Sequence, residues 1–344
     1  MDTTGLPMPP EDVELFLSEP DEGVREALRT VAGDFVVLGA GGKMGLHFCL
    51  MLQRALASLG RPDRVVAVSR FQTLHSTADF VRYGIETWPC DLAEPDQLAA
   101  LPDFPNVFFL AGAKFGTAHQ PEVLQRMNVY VPQLVAERYR LARIVALSTG
   151  CVYSYTTPAS GGSLEADETA PVGDYARSCL GREQAFGAGC ERHGTRVTLV
   201  RLNYSVEFRY GVLLDICGKV LHGEPVDVAM GYVNVIWQRD AVAQIIRTLP
   251  LANAPPFIIN VTGPETLSVR ELAQQFAQVL QQPATIAGVE SPTAWLSNSA
   301  QAQHLLGPPQ ASLPDLIRWT TEWLRTGGAT YHKPTGFEKR DGNF

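Results

Sequence analysis

Short apolar runs alternate with longer segments of helical periodicity from residue 34 onward. The first run, residues 35–38, is too short for a helix and is typical of a strand buried on both faces. The segment that follows, residues 43–59, repeats apolar residues at helical spacing. Later runs predict further strands at residues 64–68, 86–89, 106–110, 143–147, 196–202 and 257–261.

Helical segments separate most of these strands, and this alternation predicts an α/β fold with a doubly wound parallel sheet, the Rossmann arrangement. The carboxyl ends of such strands meet at one edge of the sheet, which is where ligands of open α/β sheets bind. The remaining helices are predicted at residues 13–28, 94–101, 122–140, 174–193, 212–221, 240–249, 268–280 and 313–325.

The predicted domain boundaries follow from where the alternation holds and where it loosens. The sheet domain covers residues 33–202 and is completed by about residues 233–262. Residues 203–232 and 263–330 form a smaller substrate-binding lobe over the carboxyl edge of the sheet. The chain ends are an N-terminal packing arm at residues 1–32 and an irregular polar tail at residues 331–344.

Three evenly spaced glycines, Gly39, Gly42 and Gly45, lie between the first strand and the first helix. Free backbone N–H groups and the helix dipole at such a turn attract a phosphate, and the missing side chains let it come close. The turn, which includes Lys43 and Met44, therefore predicts binding of a phosphate or a dinucleotide. A plain strand-to-helix turn is the alternative.

The end of the second strand indicates which dinucleotide would bind. A carboxylate at this position binds the ribose 2′-hydroxyl of NAD, whereas an arginine accommodates the 2′-phosphate of NADP. Here Ser69 and Arg70 are present and no carboxylate is, so NADP is favoured and NAD is the alternative. Arg70 can equally be a surface residue. Asp91, after the third strand, can accept a hydrogen bond from adenine or cap the next helix.

Composition excludes several classes of function. The 344 residues are 45% hydrophobic and carry a net charge of -8, with no basic run, which argues against nucleic-acid binding. No apolar stretch approaches the roughly 20 residues that span a bilayer. The acidic N-terminus lacks a signal-peptide pattern, and six scattered cysteines without a C-x-x-C pair suit reduced thiols, so a cytoplasmic location is expected. The dispersed histidines predict no metal site.

Two hydroxyl-bearing residues are the first candidates for chemistry. Thr149 follows the fifth strand and Tyr175 begins the next long helix, so both are expected at the carboxyl edge of the sheet. A hydroxyl beside a tyrosine can polarise a substrate alcohol or ketone and move its proton while hydride moves to or from a nicotinamide.

These features together resemble the extended short-chain dehydrogenase/reductases, the nucleotide-sugar epimerase/dehydratase group. The motifs that carry the resemblance are Gly39-x-x-Gly42-x-x-Gly45, Asp91-Leu92, Leu110-Ala111-Gly112, Asn128-Val129, Ser148-Thr149-x-x-Val152-Tyr153, Tyr175-x-x-Ser178, Glu183 and Arg201. The resemblance implies an NAD(P)-dependent oxidoreductase, epimerase or dehydratase for a sugar or a related hydroxy or keto compound, with Thr149 and Tyr175 catalytic. It places the cofactor against Gly39, Gly42, Lys43, Met44, Gly45, Ser69, Arg70, Asp91, Leu92, Leu110, Ala111, Gly112, Asn128, Tyr175 and Leu202.

The sequence departs from that family at one catalytic position. The family's tyrosine is followed four residues later by lysine, and here that position is Cys179. A phenol with a pKa of about 10 is only about 0.1% ionised at pH 7, a handicap of roughly 4 kcal/mol that a neighbouring cation normally offsets. Lys114, after the fourth strand, is the candidate for a relocated cation, and a solvated lysine is the alternative.

Other expectations concern the substrate and the assembly. Tyr153, Asn203, Arg209 and Trp237, together with Lys114, are predicted to line the substrate cleft, although each can also be ordinary packing. Helices 122–140 and 174–193 resemble the pair that forms a dimer interface in the family, so a homodimer is expected. Two alternatives stay open: elimination or isomerisation without a tyrosine–lysine pair, and a catalytically silent dinucleotide-binding redox sensor.

Overall fold

A computed structural model describes residues 12–114, 117 and 120–342. Its centre is a parallel sheet of seven strands in the order β7-β6-β5-β4-β1-β2-β3. Because β1 pairs with β2 on one side and β4 on the other, the strand order reverses there, and a ligand crevice is expected at that point. The strands are β1 Phe35–Leu38, β2 Val65–Ser69, β3 Glu86–Pro89, β4 Asn106–Phe109, β5 Arg143–Thr149, β6 Arg196–Leu202 and β7 Phe257–Val261.

The predicted α/β class is confirmed, and its cause is visible in the alternation of buried residues along β1. Phe35 and Val37 pack into the core on one face of the sheet, and Val36 and Leu38 into the core on the other. All four side chains are fully buried. A strand with alternating apolar and polar residues could not replace this one, because its polar side chains would be buried in the core. Helices on both faces complete these layers, among them α3 Gly45–Ser58, α4 Thr77–Val81, α5 Pro95–Ala99, α8 Gly173–His193, α10 Gln238–Arg247 and α12 Ala300–Leu306.

The single helix predicted at residues 13–28 is wrong, because this segment forms two short helices, α1 Val13–Leu17 and α2 Glu22–Arg29. Pro20 separates them, and its missing N–H cannot continue a helix. Asp21 then starts the second helix by accepting the N–H of Val24 at 2.9 Å.

The helix predicted at residues 122–140 is also interrupted. It consists of α6 Pro121–Gln125, a π-helical turn Arg126–Tyr130 and α7 Val131–Arg138. Pro132 lacks the N–H that would bond to the carbonyl of Asn128, which explains why the α-helical pattern shifts here. Such π turns recur at functional sites, and this one carries Asn128 into the protein interior.

The C-terminal lobe has its own apolar core, which includes Phe208, Trp237, Trp319 and Trp323. Its helices are α9 Val212–Leu221, α11 Val269–Leu280 and α13 Leu313–Arg325. Three pairs of two-residue strands tie it together: Ser205–Val206 with Ile236–Trp237, Tyr232–Val233 with Leu267–Ser268, and Val226–Asp227 with Ile286–Ala287. Among the described residues, no helix has the length and apolar character needed to cross a membrane.

Candidate functional site

The three glycines of the turn after β1 differ in how much space surrounds the position that a side chain would occupy. A Cβ on Gly39 would lie 2.5 Å from the backbone nitrogen of Ala111, and one on Gly45 would lie 2.1 Å from the carbonyl oxygen of Ala40. At these two positions, neighbouring backbone atoms leave no room for a side chain. A Cβ on Gly42 would meet nothing nearer than 3.5 Å, so this part of the turn is open and can approach a ligand.

Lys43 is the charged residue of the turn. Its Nζ donates to the carbonyl of Ser205 at 3.1 Å and lies 4.1 Å from the centre of the Tyr210 ring, so it links the sheet domain to the C-terminal lobe. Burial lowers the pKa of Lys43 to about 7; the carboxylate of Glu207 opposes this shift, and the charges of Lys114, Lys333 and Arg209 add to it.

At the end of β2, the backbone passes directly over the glycine turn. The Oγ of Ser69 would lie 2.8 Å from a Cβ on Gly41. The Arg70 side chain is 48% exposed and lies 3.8 Å from Asp91, a loose pairing that a phosphate can displace. Asp91 itself caps the following loop by accepting the N–H of Ala93 at 3.0 Å, while Leu92 is buried in the core.

The loop after β4 is held in place from below by buried polar groups. Asn128 accepts the N–H of Ala113 at 2.9 Å and donates to the carbonyl of the same residue at 2.9 Å. Arg182 donates to Asn128 at 2.7 Å and to the carbonyl of Leu147 at 2.7 Å. Asn128 is fully buried and its amide orients the loop. A Cβ on Gly112 would collide with Arg182 at 2.3 Å.

The end of β5 places Thr149 at the carboxyl edge of the sheet, beside Leu202 of β6. Its Oγ1 accepts the N–H of Cys151 at 3.2 Å, which starts the short 3-10 turn Gly150–Val152. The preceding Ser148 donates to Glu183 at 2.5 Å. The predicted position of Thr149 beyond the strand is therefore slightly wrong, because the strand extends to include it.

Tyr175 lies in the first turn of α8, which packs against that 3-10 turn. The Nζ of Lys114 is 5.3 Å from the centre of its ring. The two residues come from different elements, and the structure brings them together at the carboxyl edge. Cys179, one helical turn further along α8, is fully buried and packs against Tyr175 and Tyr153.

Burial dominates the electrostatics around the phenol. It raises the pKa of Tyr175 well above 10, and the neighbouring thiols of Cys179 and Cys151 add to the effect, while Arg182 opposes it. Burial also raises the pKa of Cys179 and lowers that of Lys114. The thiol is therefore neutral and inert, which leaves Lys114 as the cation that contacts the phenol ring among the described residues.

Two residues predicted for the substrate cleft are used for packing. Tyr153 is 1% exposed, and its hydroxyl accepts from Arg201 at 2.7 Å and donates to Asn260 at 2.9 Å. Trp237 is 3% exposed and packs edge-on against Phe208 at 5.0 Å. Both rings are therefore enclosed by protein groups, and their contact with a substrate stays a prediction.

The other two residues predicted to line the cleft, Asn203 and Arg209, also form hydrogen bonds or ion pairs with neighbouring groups of the protein. Asn203 is buried and donates to the carbonyl of Trp295 at 3.2 Å. Arg209 pairs with Glu14 at 2.6 Å and with Glu207 at 3.2 Å. Burial alone would raise the pKa of Glu14, but hydrogen bonds from His47 and Arg209 outweigh it and hold that pKa well below its usual range. Arg209 is thus held by two carboxylates of the protein, and its contact with a substrate stays a prediction.

Sequence reasoning misses two contributors to this region. Arg182, two helical turns after Tyr175 on α8, opposes the rise in the pKa of Tyr175 and also anchors the loop that carries Lys114 through Asn128 and Ala113. Lys333 lies in the tail that was predicted to be polar and irregular, and its charge adds to the effect of burial in lowering the pKa of both Lys43 and Lys114. No periodicity or motif marks either residue.

Solved structures with the same fold include nucleotide-sugar enzymes. MoeE5 in complex with UDP-glucose and NAD is 22% identical, with a TM-score of 0.67 over 86% of this chain and 99% of that chain. UDP-glucuronic acid 4-epimerase from Bacillus cereus in complex with NAD is 18% identical, with a TM-score of 0.71 over 85% and 99%. UDP-glucose 4-epimerase of Thermus thermophilus, in complex with NAD, is 17% identical, with a TM-score of 0.68 over 85% and 99%. At these identities the likeness establishes the fold.

No curated protein matches this sequence. A family-level comparison is more decisive, because the match follows the sheet domain from β1 through β6 and continues into the C-terminal lobe. The matching family is described as the NAD dependent epimerase/dehydratase family, and the match covers residues 35–230, more than half of the chain. The protein therefore belongs to the NAD-dependent epimerase/dehydratase family.

Proposed function

We propose that this protein is an NAD(P)-dependent epimerase or dehydratase that acts on a nucleotide sugar, with Tyr175, Lys114 and Thr149 as its catalytic residues. The observation that carries the proposal is the contact between Lys114 and the Tyr175 ring at 5.3 Å, close to the end of β5. It supplies the positive charge that Cys179 cannot. The solved structures with UDP-sugars and NAD support the substrate class.

The residues of the glycine turn fit the phosphates of a dinucleotide. Gly42 leaves the backbone open, and Lys43 adds a cation beside it. When bound, the nicotinamide accepts or supplies hydride. A cofactor held in this turn would extend along the carboxyl edge of the sheet toward Tyr175, since dinucleotides bind across the crevice where the strand order reverses.

In the proposed mechanism, Tyr175 takes a proton from a substrate hydroxyl or returns it to a keto group. The phenol must lose its proton first, which costs about 4 kcal/mol at pH 7 even before burial is included. A unit positive charge about 5 Å away contributes about 3 kcal/mol at an effective dielectric constant of about 20. The ammonium of Lys114, 5.3 Å from the ring centre, is the group proposed to supply such a charge, and Thr149 is proposed to hold the substrate oxygen in line for the transfer.

For the cofactor, we propose that NADP is preferred and NAD is the alternative. Ser69 and Arg70 close β2 without a carboxylate, and the Arg70 guanidinium is loosely paired and half exposed. The two similar structures MoeE5 and UDP-glucuronic acid 4-epimerase contain NAD. The choice between the two therefore depends on whether Arg70 leaves Asp91 to bind a 2′-phosphate.

A second candidate is a dinucleotide-binding protein without hydride chemistry. Burial of Tyr175 and the neutral thiol of Cys179 favour it, because both keep the phenol protonated. The contact with Lys114 is the argument against it, since a sensor would gain nothing from a buried ammonium beside a phenol.

The test begins with the purified protein and mass spectrometry of any nucleotide released by heat. Thermal melting with NAD, NADH, NADP and NADPH then measures stabilisation by each cofactor. We expect stabilisation by at least one cofactor and conversion of UDP-glucose or UDP-glucuronic acid, detected by chromatography of the products. Stabilisation without conversion of either sugar would favour the silent alternative, and stabilisation by none of the four would end the proposal.

A further inference from the structure

The N-terminal segment at residues 12–17, which contains helix α1, is bound to the sheet domain on one side. Arg54 of α3 donates to the carbonyl of Leu15 at 2.6 Å. The hydroxyl of Tyr83 donates to the carboxylate of Asp12 at 2.8 Å. These hydrogen bonds join the segment to two separate parts of the sheet domain.

The same segment is packed into the C-terminal lobe on its other side. The ring of Phe16 lies 5.6 Å from that of Phe208 and 5.9 Å from that of Trp319, measured between ring centres. Leu17 is fully buried in the same apolar core. The segment therefore spans the boundary between the two domains, and we call residues 12–17 the strap.

Glu14 adds an ionic link at the centre of the strap. Its carboxylate is hydrogen-bonded to His47, a fully buried residue in the first turn of α3, two positions after Gly45. It also pairs with Arg209 of the lobe at 2.6 Å. Arg209 pairs in addition with Glu207 at 3.2 Å. Glu14 thus connects the helix that follows the glycine turn with the lobe.

The lobe segment at residues 205–211 lies against the glycine turn itself. Lys43 of the turn donates to the carbonyl of Ser205 at 3.1 Å and lies 4.1 Å from the centre of the Tyr210 ring. Arg209 belongs to the same segment. The strap therefore holds, through Arg209, the part of the lobe that contacts the turn where the phosphates of a dinucleotide are expected.

A dinucleotide at the glycine turn would lie in the crevice between the sheet domain and the lobe, so its release requires the lobe to move away from the turn. That movement must detach the strap from one of the two domains. It then breaks either the contact of Glu14 with His47 or its ion pair with Arg209. Separating a largely buried charge from its partner is costly, so the open form should be rare.

We propose that the strap retains the dinucleotide between turnovers and that Glu14 is the positioning residue that keeps it closed. This inference rests on the proposed function and adds to it how the cofactor is used. Retention suits a reaction that restores the cofactor in place, as an epimerase or dehydratase does. It would slow a reductase, which exchanges its cofactor at every turnover.

The test compares E14Q with the matched control E19Q, which removes the charge of an exposed glutamate just after the strap that pairs with Arg54. Each protein is loaded with NADH or NADPH, whichever binds more tightly, and release into an excess of the oxidised form is followed by nicotinamide fluorescence. We expect E14Q to release the dinucleotide at least three-fold faster than the wild type, with E19Q like the wild type. A smaller increase in E14Q, or an equal increase in E19Q, would overturn the inference and leave the proposed function intact.

Phe16→Leu tests the strap from the lobe side without unpairing a charge, and it decides the question if thermal melting shows that E14Q is not folded. We expect Phe16→Leu also to release the dinucleotide at least three-fold faster, and a smaller increase would overturn the inference.

Hydrogen–deuterium exchange without nucleotide gives a readout that does not depend on the cofactor. We expect E14Q to speed amide exchange at residues 205–211 and to leave β5 unchanged. Unchanged exchange at residues 205–211 would contradict the link through Arg209. Failure of the wild type to bind any dinucleotide would instead refute the proposed function, and the exchange experiment would still show whether Glu14 holds this segment.

Discussion

Lys114 and Tyr175 lie against each other, with the ammonium 5.3 Å from the centre of the phenol ring, although they belong to the loop after β4 and the first turn of α8. The loop reaches this position because Asn128 and Arg182 hold its backbone from below. A cation and a phenol are thus brought together by tertiary structure. In the family's usual arrangement, a lysine one turn after the tyrosine places both groups on the same helix.

Removing the hydroxyl of Tyr175 should abolish turnover without disturbing cofactor binding. In Tyr175→Phe the ring and its contact with Lys114 remain, and only the group that carries the proton is lost. We expect kcat to fall at least 1000-fold on the converted UDP-sugar, with thermal stabilisation by NAD or NADP unchanged. A variant that retains more than a tenth of wild-type turnover would show that another group moves the proton.

Replacing Cys179 should have little effect, because burial raises the pKa of its thiol and keeps it neutral. We expect Cys179→Ala to retain kcat within about three-fold. A second variant combines Cys179→Lys with Lys114→Met. It removes the lysine of the loop and places a lysine four residues after Tyr175 on the same helix. Turnover at least ten-fold above that of Lys114→Met alone would indicate that either position can supply the charge. A Cys179→Ala variant without activity would show that the thiol takes part in the reaction.

Arg70 should set cofactor preference. The Arg70→Ala variant loses the guanidinium that lies 3.8 Å from Asp91, and with it the partner for a 2′-phosphate. We expect the Kd for NADPH to rise at least ten-fold while the Kd for NADH changes less than two-fold. Arg126→Ala is a suitable control, since Arg126 is an equally exposed arginine that pairs with Glu94. Equal changes for the two cofactors would mean that Arg70 is only a surface residue.

His75 should make the protein less stable in mild acid. Its side chain is 6% exposed, its Nε2 has no hydrogen-bond partner among the described residues, and burial lowers its pKa to about 4 from 6.5. The unfolded chain therefore binds this proton at higher pH than the folded one. Stability from the neutral imidazole is complete above pH 6.5 and is lost as the pH falls toward 4, by up to about 3 kcal/mol.

Urea unfolding at pH 7 and at pH 4.5 measures this effect. The free energy of unfolding should fall by about 2 kcal/mol more in the wild type than in His75→Leu, which has no group that titrates there. The difference between the two proteins is the relevant quantity, because acidic residues elsewhere titrate in both. An identical loss in both proteins would place the acid sensitivity outside His75.

Much of the fold could be predicted because a buried strand is recognisable in the sequence as a short, continuous run of apolar residues. The bounds of β1, β6 and β7 are those expected from their apolar runs, those of β3 also match the prediction, and Gly39 to Gly45 lie where a strand meets a helix. The errors occur where a proline intervenes. Pro20 divides the first helix, and Pro132 follows the π turn, and neither break is visible in the periodicity of apolar residues.

The candidate site was less predictable, because long-range contacts decide which side chains face the cleft. Tyr153 and Arg209 were expected to meet a substrate, but Arg201 and Glu14 engage them inside the protein. The sequence shows which residues carry a hydroxyl or a charge. It does not show which residues they contact, because those contacts join segments that are far apart in the chain.

The most direct test of the relocated cation is the kcat of Lys114→Met, measured with saturating cofactor and UDP-sugar as a function of pH. If the ammonium contributes about 3 kcal/mol to ionisation of the phenol, kcat at pH 7 should fall about 100-fold, and the remaining activity should rise with pH as Tyr175 loses its proton unaided. Wild-type kcat in Lys114→Met, with an unchanged pH profile, would contradict the role assigned to Lys114.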